Sequence, residues 1–355
     1  MKAFRVIDTG VREGRRQIAF DQALIDLHKA RRIPDTIRFL RFPPTALVGR
    51  HQALSREVKL EHCRARGIGV VRRITGGGAI YFDEGQLGWE LVFHRGTLGI
   101  ASLGEFARAI CEAAAAGLSR LGVEAKYRPR NDIEVGGRKI SGTGGFFDED
   151  TLFYQGTVLV DMNPADMVAA LNVARAKLEK RQLDSAAQRV VTLKELLGRV
   201  PPIGEIQEAL VAGFAERLGI APERGAISAE EEALATKHHD EGIGTDAFVH
   251  EIDDPGADAA VRSGSHTGAG GTVTAYLRLE GAAEQRIREA LVTGDFFVTP
   301  PRVVFDLESS LRGVPVAEAG AAVERFFAGA KLGLLTVSPA DFRAAIENAL
   351  RQPPA

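Results

Sequence analysis

The run "VRRITGGGAIYFDEG", residues 71–85, imposes the sharpest local condition on the fold. Three consecutive glycines, Gly76, Gly77 and Gly78, stand between a doubly basic pair, Arg72 and Arg73, and the alternating Ala79-Ile80-Tyr81-Phe82. Such a triplet forfeits conformational entropy unless the chain takes positive φ there or lies flat against something. Two readings follow. It is an ordinary hairpin turn, or it is the floor of a binding site where an elongated ligand or a phosphate meets backbone N–H groups. Strand alternation would point only one of Arg72 and Arg73 inward. The run is not GxGxxG and no Lys-Ser/Thr follows, which disfavours dinucleotide and P-loop sites.

The chain's 355 residues suggest about two domains. Hydrophobic content of 45% beside 26% charged residues is that of an ordinary globular protein. A net charge of -2 argues against a general electrostatic grip on nucleic acid. No apolar run approaches the roughly 18 residues of a membrane helix, and the N-terminal stretch lacks the apolar core of a signal peptide. A cytoplasmic protein without a nucleic-acid or membrane partner is expected. Cys63 and Cys111 make neither a disulfide framework nor a CxxC site, and the histidines show no HExxH spacing.

Mixed elements are expected along the chain. Residues 17–31 carry Phe20, Leu24 and Leu27 at helical spacing. Ser102 and Glu105 form a capping-box pattern ahead of Leu103, Phe106, Ile110 and Leu118, and that helix places Cys111 among alanines as a packed thiol. Strands are expected at 132–135 and 156–160, and helices near 166–178 and 203–218. Without a regular βαβ rhythm, α+β fits better than a doubly wound sheet. After Leu218 the acidic, Gly- and Ser-rich composition suggests a connecting segment, 221–271, between a domain of 1–220 and a small α/β domain of 272–355. In the latter, Val273, Ala275, Leu277 and Leu279 alternate, "GDFFVTP" and "RVVFDLESSL" read as further strands, and helices close the chain near 316–327 and 339–350.

A second segment, residues 128–161, places Asn131 and Asp132 at a strand start, Gly136-Gly137 at a hairpin turn, and Lys139 at the start of the returning strand before Ser141 and Gly142. Lysine there is either a solvated hairpin charge or a cation fixed beside developing carboxylate and phosphate charge.

Together the two segments resemble the lipoate-protein ligase A family, within the biotin and lipoate protein ligases. Its Arg-x-Ser/Thr-Gly-Gly-Gly-Ala pattern with a following Asp appears as Arg73, Thr75, Gly76, Gly77, Gly78, Ala79 and Asp83. Its Asn-Asp-hairpin-Lys-x-Ser-Gly pattern appears as Asn131, Asp132, Lys139, Ser141 and Gly142, followed by Gly156 and Thr157. Lys177, Ser185 and Arg189 resemble the family's adenylate-covering loop, Gly49 and Gln52 fit its "LVGRHQ" run, and Gly294 to Phe297 is similar to its C-terminal accessory domain. Phe82 and Gln155 depart from the histidines that many relatives carry.

The resemblance implies a class II synthetase-like mixed sheet with helices and a small accessory domain. It implies an enzyme that joins lipoate to AMP at the expense of ATP and passes the lipoyl group to a lysine of a lipoyl carrier protein. Lys139 would neutralise carboxylate and phosphate oxygens, and Asp132 would help place Mg²⁺. The alternatives are an octanoyl or lipoyl amidotransferase, which needs an activated cysteine, and a non-catalytic relative that binds lipoylated proteins.

Overall fold

The computed structural model describes residues 2–100, 102–172, 189–268, 270–330, 332–334 and 336–353. By internal contacts the chain forms two units: Met1–Leu47, Val58–Arg72 and Ile80–Val249 in the first, and Val48–Glu57, Arg73–Ala79 and His250–Ala355 in the second.

Alternation of large apolar side chains builds the first unit. Its strands are β1 (Lys2–Val11), β2 (Thr36–Arg41), β3 (Thr45–Val48), β4 (Gly69–Arg72), β5 (Ile80–Phe82), β6 (Gln86–His94), β7 (Ala125–Arg128), β8 (Asp132–Val135), β9 (Arg138–Asp148), β10 (Thr151–Leu159) and β11 (Ile220–Arg224). Eight of them form a sheet in the order β11-β1-β2-β6-β10-β9-β8-β7, and β4-β3-β5 form a smaller one. The β11-β1-β2 edge is parallel and the rest antiparallel, giving the expected mixed sheet.

On one face, Trp89 of β6 packs on Phe214 of helix Ile203–Leu218 and Phe93 on Phe106 of helix Leu103–Ser119, with ring centroids 5.4 and 5.7 Å apart. These two helices touch where both carry glycine: a Cβ on Gly213 would lie 2.4 Å from the Ala113 carbonyl oxygen, and one on Gly117 2.7 Å from that of Ala209. Ser102 and Glu105 close the expected capping box. The other face takes helix Gly14–Lys29, whose Asp21 meets a fully buried Arg38 that also binds Glu90 at 2.9 Å. Burial pushes both carboxyls above their ordinary range while Arg38 opposes the rise.

The stretch read as a connection is packed over its first half. Ile220–Arg224 pairs with β1, and helix Ala229–His238 opens on a Ser228–Glu231 capping box. The acidic run that suggested a linker is a set of clasps: Glu231 holds Arg5, and Glu232 holds Arg12 at 2.7 Å. Composition shows that these side chains are charged but not that their partners lie some 220 residues earlier.

The second unit carries β12 (Arg262–Gly268), β13 (Gly271–Glu280) and β14 (Arg286–Gly294) in one antiparallel sheet, and β15 (Val298–Thr299) pairs with β16 (Gly333–Leu334). Its core joins Val273, Ala275 and Leu277 to Phe296, Leu307, Phe342 and Ile346. Residues 302–311, expected as a strand, form helix Val303–Leu311. The β-branched pair Val303 and Val304 suggested a strand, but with Leu307 and Leu311 these residues make a buried stripe at helical spacing, and packing overrides propensity. No helix of the described residues is long and apolar enough to cross a membrane.

Candidate functional site

In the first unit the hairpin residues gather around one ammonium group. Gly136 and Gly137 take φ of +58° and +79°, the left-handed values that a tight turn between β8 and β9 requires. Lys139 leaves this turn with its side chain lying along β9 across Gly142, where a Cβ would stand 2.7 Å from Nζ. Its Nζ bonds Asp132 Oδ1 at 2.7 Å, and Arg128 holds Asp132 Oδ2 at 2.7 Å. Lys139 keeps 38% of its side chain exposed, enough to meet a ligand. Gly142 N–H donates to Thr157 Oγ1 at 3.3 Å, so Thr157 pins the strand under the lysine.

Other hairpin residues brace. Asn131 Nδ2 donates to the Thr143 carbonyl at 2.6 Å, and Thr143 returns its hydroxyl to the Asn131 carbonyl at 2.9 Å. Gly156 is glycine because Trp89 fills the space, a Cβ there meeting Cζ2 at 2.1 Å. Ser141 is fully buried, and its Oγ has no hydrogen-bond partner among the described residues. Lys177 and Ser185 lie outside the described residues, and Arg189 stands at the edge of the described chain.

Both carboxylate oxygens of Asp132 are engaged by cations, Oδ1 by Lys139 and Oδ2 by Arg128. Among the described residues no group of three His, Cys, Asp or Glu side chains is gathered for a metal. Asp83, at the other motif's end, accepts the Gly85 N–H at 2.9 Å, and burial followed by the charge of Asp166 raises its carboxyl.

The glycine loop belongs to the second unit, and its own chain explains the triplet. A Cβ on Gly76 would sit 2.1 Å from the Phe296 carbonyl oxygen, and one on Gly77 2.5 Å from Cζ of Phe297. Gly77, at φ +89°, donates its N–H to the Phe296 carbonyl at 2.9 Å. Arg73 is buried, and its Nη2 donates to the Gly76 and Gly78 carbonyls at 3.1 and 2.9 Å. Burial lowers its pKa to about 10, so it stays charged near neutrality. Thr75 is buried, with its carbonyl accepting Arg50 N–H at 2.9 Å, and Ala79 is half-buried at the loop's end. Gln52 Oε1 accepts Gly49 N–H at 2.9 Å, and a Cβ on Gly49 would strike the Gly77 carbonyl oxygen at 2.0 Å. The close approach foreseen for the triplet is therefore met by Phe296 and Phe297 of the "GDFF" run.

Two expectations change. Arg72 and Arg73 are both buried, because β4 ends at Arg72 and strand alternation stops there. Arg72 Nε donates to the Val249 carbonyl at 3.1 Å, whereas Arg73 serves the glycine loop. Phe82 is a core side chain packed at a tilt against Phe42, ring centroids 4.8 Å apart. Gln155, half-buried, pairs with Glu90 and Gly144 across the sheet.

Both thiols are structural. Cys63 is buried in the middle of helix Leu60–Arg66, and burial raises its pKa. Cys111 lies against the hydroxyls of Thr143 and Tyr154, at 3.3 and 3.6 Å, and burial pushes it up to about 11. The residue that the motifs missed is Arg128. Its signal was its position four before Asp132 across a tight turn, which makes the two direct cross-strand neighbours.

The octanoyltransferase LipM of Kyrpidia tusciae is 29% identical over 259 residues, 66% of this chain and 94% of the relative. The lipoate-protein ligase LplJ of Bacillus subtilis is 34% identical over 154 residues, 43% of this chain and 45% of the relative. Among solved structures, one describing a bi-partite lipoate protein ligase and its E2 lipoyl domain from Thermoplasma acidophilum superposes with TM-score 0.64 at 26% identity, covering 71% of this chain and 98% of that one. The family model for the lipoyl protein ligase A/B catalytic domain matches residues 13–215, more than half of the molecule, and the chain therefore belongs to that family of lipoate ligases and octanoyltransferases.

Proposed function

We propose that this enzyme is an ATP-dependent lipoate-protein ligase. The observation that carries this reading over acyl transfer from a thioester is the state of the cysteines. The chain has two, and each is a buried thiol raised above its ordinary pKa. Covalent relay of an acyl group needs a thiolate that a substrate can reach, and burial in apolar surroundings disfavours both. Adenylation needs no such nucleophile. A lipoate carboxylate oxygen attacks the α-phosphorus of ATP and pyrophosphate leaves. The carrier's lysine amine then attacks the acyl carbonyl, the bond to AMP breaks, and the amine gives up a proton. Lys139, half-exposed on a rigid hairpin, is the cation suited to the charge that builds on carboxylate and phosphate oxygens. Holding the mixed anhydride in place makes amide formation an oriented transfer. The acceptor is a lipoyl carrier domain, the kind of partner named in the Thermoplasma structure.

A second reading, octanoyl transfer, is favoured by the LipM relatives, which align over almost their whole length. One experiment separates them. Wild type and a Cys63→Ala/Cys111→Ala variant are incubated with a carrier domain and either ATP plus lipoate or octanoyl-acyl carrier protein. Pyrophosphate release and lipoylation retained by the cysteine-free variant is the expected result. Transfer only from the octanoyl thioester, lost without cysteine, would replace the ligase assignment with the second.

A further inference from the structure

We propose that Arg128 is a positioning residue for Lys139; the proposal rests on the ligase reading of Lys139. Across β8 and β9 the residue paired with Lys139 is Glu134, not Asp132, which pairs with Gly142, the ladder shifting by one residue between Ile133 and Glu134. An ammonium group on a flexible stem would ordinarily meet the carboxylate facing it, since direct cross-strand pairs are the closest neighbours. Here Lys139 Nζ passes Glu134 by and reaches Asp132 at 2.7 Å.

Arg128 supplies the reason. From β7 its guanidinium spans two carboxylates that lie on one face of β8, Nη2 binding Asp132 Oδ2 at 2.7 Å and Nη1 binding Glu134 Oε2 at 3.3 Å. The planar fork suits two acceptors two residues apart, a geometry that a point-like ammonium does not reproduce. It does two things at once. Engaging Glu134 withholds the cross-strand partner from Lys139. Fixing one oxygen of Asp132 turns the other towards the lysine, so that Nζ comes to rest over Gly142. The four groups balance, two cations against two carboxylates, and loss of Arg128 would leave a net negative charge where anionic substrates must approach.

The prediction is specific. Arg128→Ala should slow pyrophosphate release from ATP and lipoate by roughly tenfold to a hundredfold, as a displaced catalytic group does. Adding Glu134→Gln to Arg128→Ala should recover most of the loss, because the competing carboxylate is gone. Arg128→Lys should recover little. A double variant no faster than Arg128→Ala, or an Arg128→Ala enzyme as fast as wild type, would overturn the proposal. Should Arg128→Ala fail to fold, the comparison is made between Arg128→Gln and Arg128→Gln/Glu134→Gln, with melting temperatures measured alongside. A purely structural role for Arg128 predicts that Glu134→Gln restores nothing. Wild-type enzyme that releases no pyrophosphate sinks the ligase reading instead, a separate outcome.

Discussion

At the scale of single residues, electrostatic partners distinguish functional charges from structural ones. Among the described residues Lys139 has one acidic partner, and it keeps over a third of its side chain in solvent, whereas Arg38 is enclosed with Asp21 and Glu90. Lys139→Ala should therefore lower adenylation by about 10²- to 10³-fold, the loss of one oxyanion-type contact, with an unchanged melting temperature. The Arg38 cluster should respond in the opposite way. Two carboxyls facing one guanidinium favour keeping one of them protonated, and burial holds Glu90 well above its ordinary value. Glu90→Gln, which mimics the protonated acid, should be nearly neutral in stability at pH 7. Arg38→Met, which strands buried carboxyls, should cost about 3–5 kcal/mol by chemical denaturation. Equal losses from the two variants would show that Glu90 is ionised in the native state.

At the scale of elements, glycine marks close packing. The crossing of helices Leu103–Ser119 and Ile203–Leu218 depends on Gly117 and Gly213, so Gly213→Leu should destabilise the first unit by more than the roughly 1–3 kcal/mol of ordinary overpacking, since the added carbon meets backbone. Unchanged thermal unfolding would mean that the helices separate at little cost. The loop 76–78 obeys the same rule. Gly76→Ala meets the Phe296 carbonyl and should be worse than Gly77→Ala, whose added carbon meets a movable ring edge but also suffers positive φ. Hydrogen exchange at residues 294–298 is the readout, faster exchange in Gly76→Ala being expected.

At the scale of the molecule the two units should answer pH differently. In the second, Glu57 and Glu308 are each raised to about 7, chiefly by burial, with Asp295 adding to the rise at Glu57 and Glu251 at Glu308. Their neutral forms stabilise the fold fully below the unfolded value near 4.5, and that stability is lost as pH rises through about 7. In the first, Asp35 and Glu231 are lowered, despite burial, by His28 and Arg5 respectively among their partners. Their ionised forms stabilise above the ordinary carboxylate range, and this contribution fades as pH falls through the depressed values. Between pH 5 and 8 exchange protection should therefore fall around Glu57 and Glu308 and hold around Asp35 and Glu231, and Glu57→Gln with Glu308→Gln should abolish the fall. Truncation after Asp254 bears on the same division. Segments 48–57 and 73–79 belong with the C-terminal residues, so truncation should leave them unprotected in exchange experiments. Their full protection in the truncated chain would place them with the first unit.

The sequence by itself determined the mixed α+β character, the capped helix after Ser102, the hairpin around Gly136-Gly137 and the place of Lys139 at the start of its returning strand, because each rests on local pattern: spacing, capping and turn chemistry act between residues a few positions apart. The motifs also carried the family. Only the tertiary structure decided what those residues touch. That Gly156 yields to Trp89, that Gly76 yields to Phe296, that the acids near 231 clasp Arg5 and Arg12, and that Asp132 binds both Lys139 and Arg128 are all consequences of partners brought together from distant parts of the chain or across a strand register. A glycine announces that space is needed without saying for what. A charge announces that a partner is needed without saying which, and the packing of strands and helices supplies that choice.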